Sequence, residues 1–400
     1  MNKELKPAKI ILYILLIAPF FQVELLENLI PLMGKGYTLW QLLAGAAFVY
    51  VCSRDKVRIR DFSWIHLLFA ALLLVMVIGT LMNPEAGLKR AVQYSYGSLA
   101  VGIIAEYGIK KDRENFLTGM EVLFGTLVAL NVVTILLFPK GMYQFERALE
   151  ENWLLGYKNY HIVYIMALLI FSAVHSLCST GKIGLRVWLY IALSAFSSIL
   201  VAARTPLAAI ALFAAAILCK KLLDYTGVFN ALTYLACYTL AFLAIVVIRL
   251  ENLPVIGKLI GREISFNNRI HFWDKAMTEF RDYPVFGHGY QQFRMFRGYV
   301  TTHNQMIEVL YKTGVVGFVI FCAILIAAAA MMFRSRKGTC TKYLAVLFAS
   351  YLILFLMEQY AFANYFFLFM LACNSELLDS FTLEAKGSSS SETDSRGENG

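Results

Sequence analysis

Residues 301–332 read TTHNQMIEVLYKTGVVGFVIFCAILIAAAAMM, and no charge interrupts the run from Thr313 to Phe333. At about 1.5 Å per residue, a helix from His303 to Phe333 is roughly 46 Å long, against about 30 Å of bilayer hydrocarbon. Such a helix crosses a membrane, with its first turns above the bilayer or strongly tilted. Thr302 and Gln305 have the spacing of a capping box, which puts His303 at the first helical position. Gly314 and Gly317 let another backbone approach.

Working outward, the 400 residues are 59% hydrophobic and only 16% charged, which excludes a water-soluble protein. The expected fold class is all-α: a polytopic membrane protein of about twelve transmembrane helices, with one large extracytoplasmic loop that contains an amphipathic helix. The apolar runs fall near 10–30, 37–53, 64–82, 91–108, 116–138, 161–178, 185–202, 206–221, 229–249, 306–333, 342–358 and 360–375. Helices therefore occupy 1–249 and 306–378, the external loop 250–305, and a disordered cytoplasmic tail 379–400, whose end is the polar SSSSETDSRGENG. Lys3, Lys6 and Lys9 lead into the first run without a small-residue cleavage site, so that helix is expected to stay in the protein.

The net charge of +9 reflects topology rather than a nucleic-acid partner. With the N-terminus cytoplasmic, 20 Lys and Arg fall on the inner side and 16 on the outer, of which 7 lie in the long loop that escapes the positive-inside rule. Both termini then lie in the cytoplasm. All seven Cys sit in spans or on the inner side, so no disulfide framework is expected.

Two stretches depart from plain spans. Ala202-Ala203-Arg204-Thr205-Pro206 leaves almost no loop between two helices and holds a cation at the outer membrane edge. In the long loop, NNRIHFWDKAMTEFRDYPVFGHGYQQF (267–293) places Trp273, Ala276, Met277 and Phe280 at helical spacing, as for a helix lying on the outer leaflet. Asn267 or Asn268 caps it, and Arg269 stands in the first turn, where the dipole favours an anion. Pro284 ends it, and Gly287 and Gly289 supply a tight bend. The plainer reading of this Arg is a contact with lipid headgroups, and of His303 and Asn304 a helix cap.

An Arg at an outer helix junction, this loop, and HNQMIEVLYKTGVVG (303–317) entering a long span together resemble the superfamily of O-antigen ligases and Wzy-type polysaccharide repeat-unit polymerases. The resemblance implies a metal-independent inverting glycosyltransferase with no cofactor. Its partners would be an undecaprenyl-diphosphate-linked oligosaccharide, an acceptor glycan or lipid A-core, and membrane lipids, with a flippase and a chain-length regulator beside it. It implies that Arg269 and Arg204 hold the donor diphosphate and that His303 helps activate the acceptor hydroxyl. Relatives often carry small hydroxyl residues before the junction Arg, where this chain has alanines, so Arg249, Arg262, Arg281, Arg294 and Arg297 stay open as substitutes.

The residues suit that chemistry. A sugar on a lipid diphosphate is already activated, so transfer needs an oriented acceptor, a base and cations for the leaving group. Arg offers a permanent charge and a forked set of donors. Weaker substrate-binding candidates are Asn304, Arg262 and, in GYKNYH (156–161), Lys158, Asn159 and His161; Trp153, Tyr157 and Tyr160 read more simply as interfacial anchors. His161, His271, His288 and His303 lack zinc-site spacing, so no metal is expected. Glu24, Glu27 and Glu358 are costly against lipid and are expected to face a polar vestibule.

The expected function is a cell-surface polysaccharide polymerase (O-antigen, capsule or exopolysaccharide) on the outer face of the bacterial cytoplasmic membrane. The alternatives are an O-antigen ligase and, more distantly, a secondary transporter, whose repeated halves are not apparent here.

Overall fold

The computed structural model describes residues 5–30, 32–83, 85–145, 148–249, 267–291, 293–295, 298–299 and 301–397. In chain order the helices are α1 Pro7–Ile17, α2 Glu24–Leu29, α3 Met33–Arg54, α4 Ile65–Met82, α5 Leu88–Leu137, α6 His161–Thr180, α7 Leu185–Leu200, α8 Arg204–Leu218 and α9 Ala231–Phe242. They continue with α10 Asn267–Glu279, α11 Gln305–Arg334, α12 Thr339–Met357, α13 Phe366–Cys373 and α14 Ser375–Gly397. The short strands are β1 Tyr143–Phe145, β2 Ala148–Trp153 and β3 Gly156–Tyr157, which form one antiparallel sheet, and the pair β4 Arg294–Met295 and β5 Gly298–Tyr299.

Helix α6 runs through the centre. From His161 to Cys178 every residue is buried, and α5, α7, α12 and α14 pack around it. A helix that is apolar all round has no lipid or water face to present, so burial on every side is the expected outcome. Outer helices sort their residues instead. On α4, Phe69, Leu72, Leu73 and Met76 face inward, whereas Leu67, Leu74 and Leu81 form an outward stripe suited to acyl chains.

This is an all-α membrane protein, but the twelve-span count is not reached by helix length and apolarity. Among the described residues six helices pass that test, or seven if the pair across Asn374, bent by 67°, counts as one span. The differences have local causes. Helices Pro7–Phe20, Leu185–Leu200 and Arg204–Leu218 are apolar but short. The runs 91–108 and 116–138 are merged within α5, whose ladder breaks at Asp112. That carboxylate takes Lys9 at 2.8 Å and the Asn115 amide at 2.8 Å.

Three local expectations are corrected. Trp153 is not an interfacial anchor: it is 2% exposed and donates its indole N–H to Phe138 O at 2.8 Å, because the three-stranded sheet folds it inward, whereas Tyr160 stays exposed. The amphipathic stripe of α10 does not simply rest on lipid, since Trp273 and Ala276 are buried against Phe293, Ile307 and Tyr311. The projecting first turns of α11 supply that apolar surface. Finally, α14 continues through Gly397 where the sequence reading leaves a disordered tail from 379. Leu378 and Thr382 are buried one turn apart, and Asp379 accepts from the backbone N–H of Cys340 at 2.7 Å, so the segment docks before its polar end begins.

Helix α11 is broken at Gly314, whose φ of +62° and ψ of −168° suit glycine alone. The bend 284–289 fills the break. His288 N–H and Gly289 N–H donate to the Tyr311 and Lys312 carbonyls, both at 2.9 Å, while Val315 N–H and Val316 N–H donate to Pro284 O at 2.9 Å and Val285 O at 3.2 Å. Lost helical bonds are thus replaced by the loop, as buried backbone groups require. The approach is close: a Cβ on Gly314 would meet Val285 O at 2.3 Å, and one on Gly287 would meet the Lys312 carbonyl carbon at 2.4 Å. Gly314→Ala is therefore expected to destabilise the protein by about 1–3 kcal/mol in detergent thermal unfolding. Gly227→Ala, with nothing within 4 Å, is the neutral control.

Candidate active site

The carboxylate of Glu358 gathers the site. It follows the last turn of α12, with an extended backbone and its N–H on Leu354 O at 2.9 Å. A helix C-terminus disfavours an anion, so the carboxylate needs donors from elsewhere. Three arrive from distant parts of the chain. His303 Nδ1 lies 2.8 Å from Oε2, and Arg269 Nη2 and Asn159 Nδ2 donate to Oε1 at 3.0 and 2.9 Å.

Each donor is placed by a local device. Arg269 stands in the first turn of α10, which Trp273 and Ala276 fix on α11. Asn159 follows the small sheet, one residue before Tyr160, which leads into α6. His303 is held outside its helix rather than within it. Asn304 is the true N-cap, accepting from Met306 N–H and Ile307 N–H at 3.0 and 3.1 Å. The Thr302–Gln305 capping box does not form, because Thr302 Oγ1 is 2.8 Å from Glu308 Oε2 and Gln305 pairs with Tyr365 and the Tyr360 N–H. His303 consequently adopts a left-handed backbone with φ +50°. Its ring leans on Phe272 at 5.3 Å.

That geometry has a chemical consequence. With Nδ1–H donated to a carboxylate, the lone pair of the imidazole is on Nε2, which makes no hydrogen bond among the described residues. The side chain is 30% exposed, against 9% for Glu358 and 25% for Arg269. An imidazole oriented in this way can accept a proton on Nε2, with a carboxylate behind it to offset the positive charge.

The other sequence candidates separate. Asn304 is fully buried by its cap and by donation to Leu356 O at 3.1 Å. His161 is spent on structure, with Nε2 3.0 Å from Gly156 O and Nδ1 3.2 Å from the Asn131 amide. Lys158 lies over the Tyr157 ring at 5.7 Å. Arg204 opens α8, exposed, with no hydrogen bond or ion pair among the described residues. Its junction packs Val201 and Ala203 against Trp153, on the membrane face that carries Asn159, and Ala202 is left-handed at φ +53°. Arg249, one of the substitutes, is paired with Asp274. Arg262 lies outside the described residues.

Glu358 has a visible sequence signal, a lone charge in LILFLMEQYAFANYFF (352–367), but its partners do not. Sequence reasoning missed a second pair, Glu308 and Lys312, at 2.7 Å one turn apart on α11. They help line a cleft of about 310 Å³, a volume at the small end of ligand sites. Tyr160, Thr301 and Gln359 line it too, and stand one or two residues from Asn159, His303 and Glu358. The cleft adjoins the charged cluster without containing it. Among the described residues no group of three or more His, Cys, Asp or Glu could hold a metal ion.

Residues 187–322 match the family model described as O-antigen ligase. That match, over about a third of the chain, makes this segment similar to the O-antigen ligase family. No curated protein matches the chain. The matched segment of the superfamily includes Arg204, Arg269, His303 and Lys312, whereas Asn159 and Glu358 lie on either side of it. The cluster therefore joins the family segment to helices outside it.

Protonation of His288 would weaken the bend beside the site. His288 is 5% exposed, stacked on Tyr311 at 4.3 Å, with Nε2 on Glu279 O at 3.0 Å and Nδ1 buried without a partner among the described residues. Burial pushes this imidazole below its ordinary value of about 6.5. A lowered folded value means that the neutral ring stabilises the bend above about pH 6.5, and this contribution is lost as pH falls through the folded value. Protection of the Gly289 and Val315 amides, corrected for intrinsic exchange, is expected to fall as pH drops below that ordinary value, and His288→Phe, which keeps a stacked ring that cannot protonate, should remove that dependence.

Proposed function

We propose that the protein is a metal-independent, inverting polymerase of bacterial cell-surface polysaccharide, which transfers glycan from an undecaprenyl-diphosphate donor to a lipid-linked glycan acceptor on the extracytoplasmic face. The carrying observation is the convergence of His303, Arg269 and Asn159 on Glu358 beside a polar cleft. An acceptor hydroxyl oxygen attacks the anomeric carbon and gives its proton to His303 Nε2. The bond from that carbon to the diphosphate oxygen breaks, and the departing lipid diphosphate takes the bonding pair. Arg269, with donor capacity beyond its bond to Glu358, meets the developing charge, and Arg204, exposed at the start of α8, is the second cation assigned to the diphosphate. One displacement from the opposite side inverts the anomeric centre. The Lys and Arg bias supports cytoplasmic termini and an outward-facing site.

The family description favours a second reading, an O-antigen ligase with lipid A-core as acceptor. Purified chain in proteoliposomes separates the two. A ladder of lengthening glycans from synthetic lipid-diphosphate oligosaccharide alone supports the polymerase. Product only when lipid A-core is added supports the ligase. Ion-coupled uptake without any glycan product would overturn both.

A further inference from the structure

We propose that the cleft lined by Glu308 and Lys312 holds the terminal sugar of the acceptor glycan and presents its hydroxyl to His303; this rests on the glycan-transfer reading above. The first reason is unspent polar capacity. Gln359 and Asn364 line the cleft, and their side-chain amides have no hydrogen-bond partner among the described residues. The Thr301 hydroxyl is buried there, equally without one. Leaving the buried Thr301 hydroxyl unpaired costs about 1–3 kcal/mol, and the half-buried amides of Gln359 and Asn364 are free to pair, so the cleft offers both donors and acceptors to a ligand.

The second reason is charge. Lys312 is already neutralised by Glu308 at 2.7 Å and lies over the Tyr290 ring at 5.4 Å. A diphosphate needs cations that are not so neutralised, and an acyl chain does not need amides. A neutral polyol fits both facts: its hydroxyls use the amides and the ion pair, and its C–H faces lie on the rings of Tyr94 and Tyr290, which pack at 5.2 Å. Size agrees, since 310 Å³ is about ten waters at roughly 30 Å³ each. Position selects the acceptor over the donor. Thr301 precedes His303 by two residues and Gln359 follows Glu358 directly, so a sugar held here lies next to the base that must take its proton.

The test is saturation-transfer NMR on the full chain in detergent, with oligosaccharides released by mild acid from the source cell's own lipid-diphosphate pool. Wild type is expected to give sugar signals that persist in excess inorganic pyrophosphate. Gln359→Ala and Tyr290→Ala should weaken them at least ten-fold, and Tyr290→Phe should keep them. Gln359→Ala touches no hydrogen bond, so it stands as the informative variant if Tyr290→Ala fails to fold. In the transfer assay, Gln359→Ala should raise the acceptor KM and leave the donor KM alone. No sugar signal, a signal displaced by pyrophosphate, or an acceptor KM unchanged by both alanine variants would overturn the proposal. Sugar binding by a protein that forms no glycan product would sink the enzymatic reading and leave the cleft assignment standing; product formation with an unmoved acceptor KM would do the reverse.

Discussion

Replacing His303 by alanine is expected to lower glycan transfer by about 10²–10⁴-fold, the range that removal of a general base produces. The argument rests on where the residue stands. Asn304, and not His303, caps α11, so the helix keeps its start when the imidazole is removed. The ring's own contacts are the Glu358 carboxylate and the Phe272 face, neither of which closes the core. Alanine does carry a penalty of roughly 1–2 kcal/mol in the left-handed backbone that His303 occupies. His303→Asn avoids it, because asparagine tolerates that region and supplies no comparable base. Both variants should insert and unfold near the wild-type temperature while transfer falls in both. Asparagine at full rate would leave His303 a backbone feature only.

Arg269→Ala should cost about 10²–10³-fold in transfer, comparable to losing a preorganised donor to developing charge. The guanidinium holds Glu358 at 3.0 Å, and in the proposed mechanism its further N–H groups meet the leaving diphosphate. Arg269→Lys is expected to recover little, since a single ammonium cannot span both partners with fixed geometry. Rates in proteoliposomes with saturating acceptor check this, and a lysine variant near wild type would limit the role of Arg269 to a simple charge.

How much of this was legible in the sequence follows from the range of each interaction. Local signals read well. The long helix from 305, the bend at Gly287 and Gly289, the close approach at Gly314 and the helix bearing Trp273 all rest on residues within a few positions of one another. What failed depended on distant partners. The capping box lost to Asn304 because Thr302 has Glu308, and Gln305 has Tyr365, within reach. The α10 stripe turned to protein because α11 rises beside it. Glu106 and Glu121 lie inside apolar runs; Lys110 stands one turn from Glu106, but nothing local hints that His66, or His175 and Arg186, will meet these carboxylates. Glu358 is the same case at the site. Its charge was conspicuous, but its three donors lie 55, 89 and 199 residues away.

If His303 and Glu358 act as one base, a double-variant cycle read as the rate of glycan transfer will show it. Glu358→Gln alone should slow transfer, His303→Ala should slow it more, and the combined variant should be no slower than His303→Ala, because the carboxylate then has no imidazole to orient. Penalties that multiply in the combined variant, or wild-type transfer by Glu358→Gln, would contradict this account of the site.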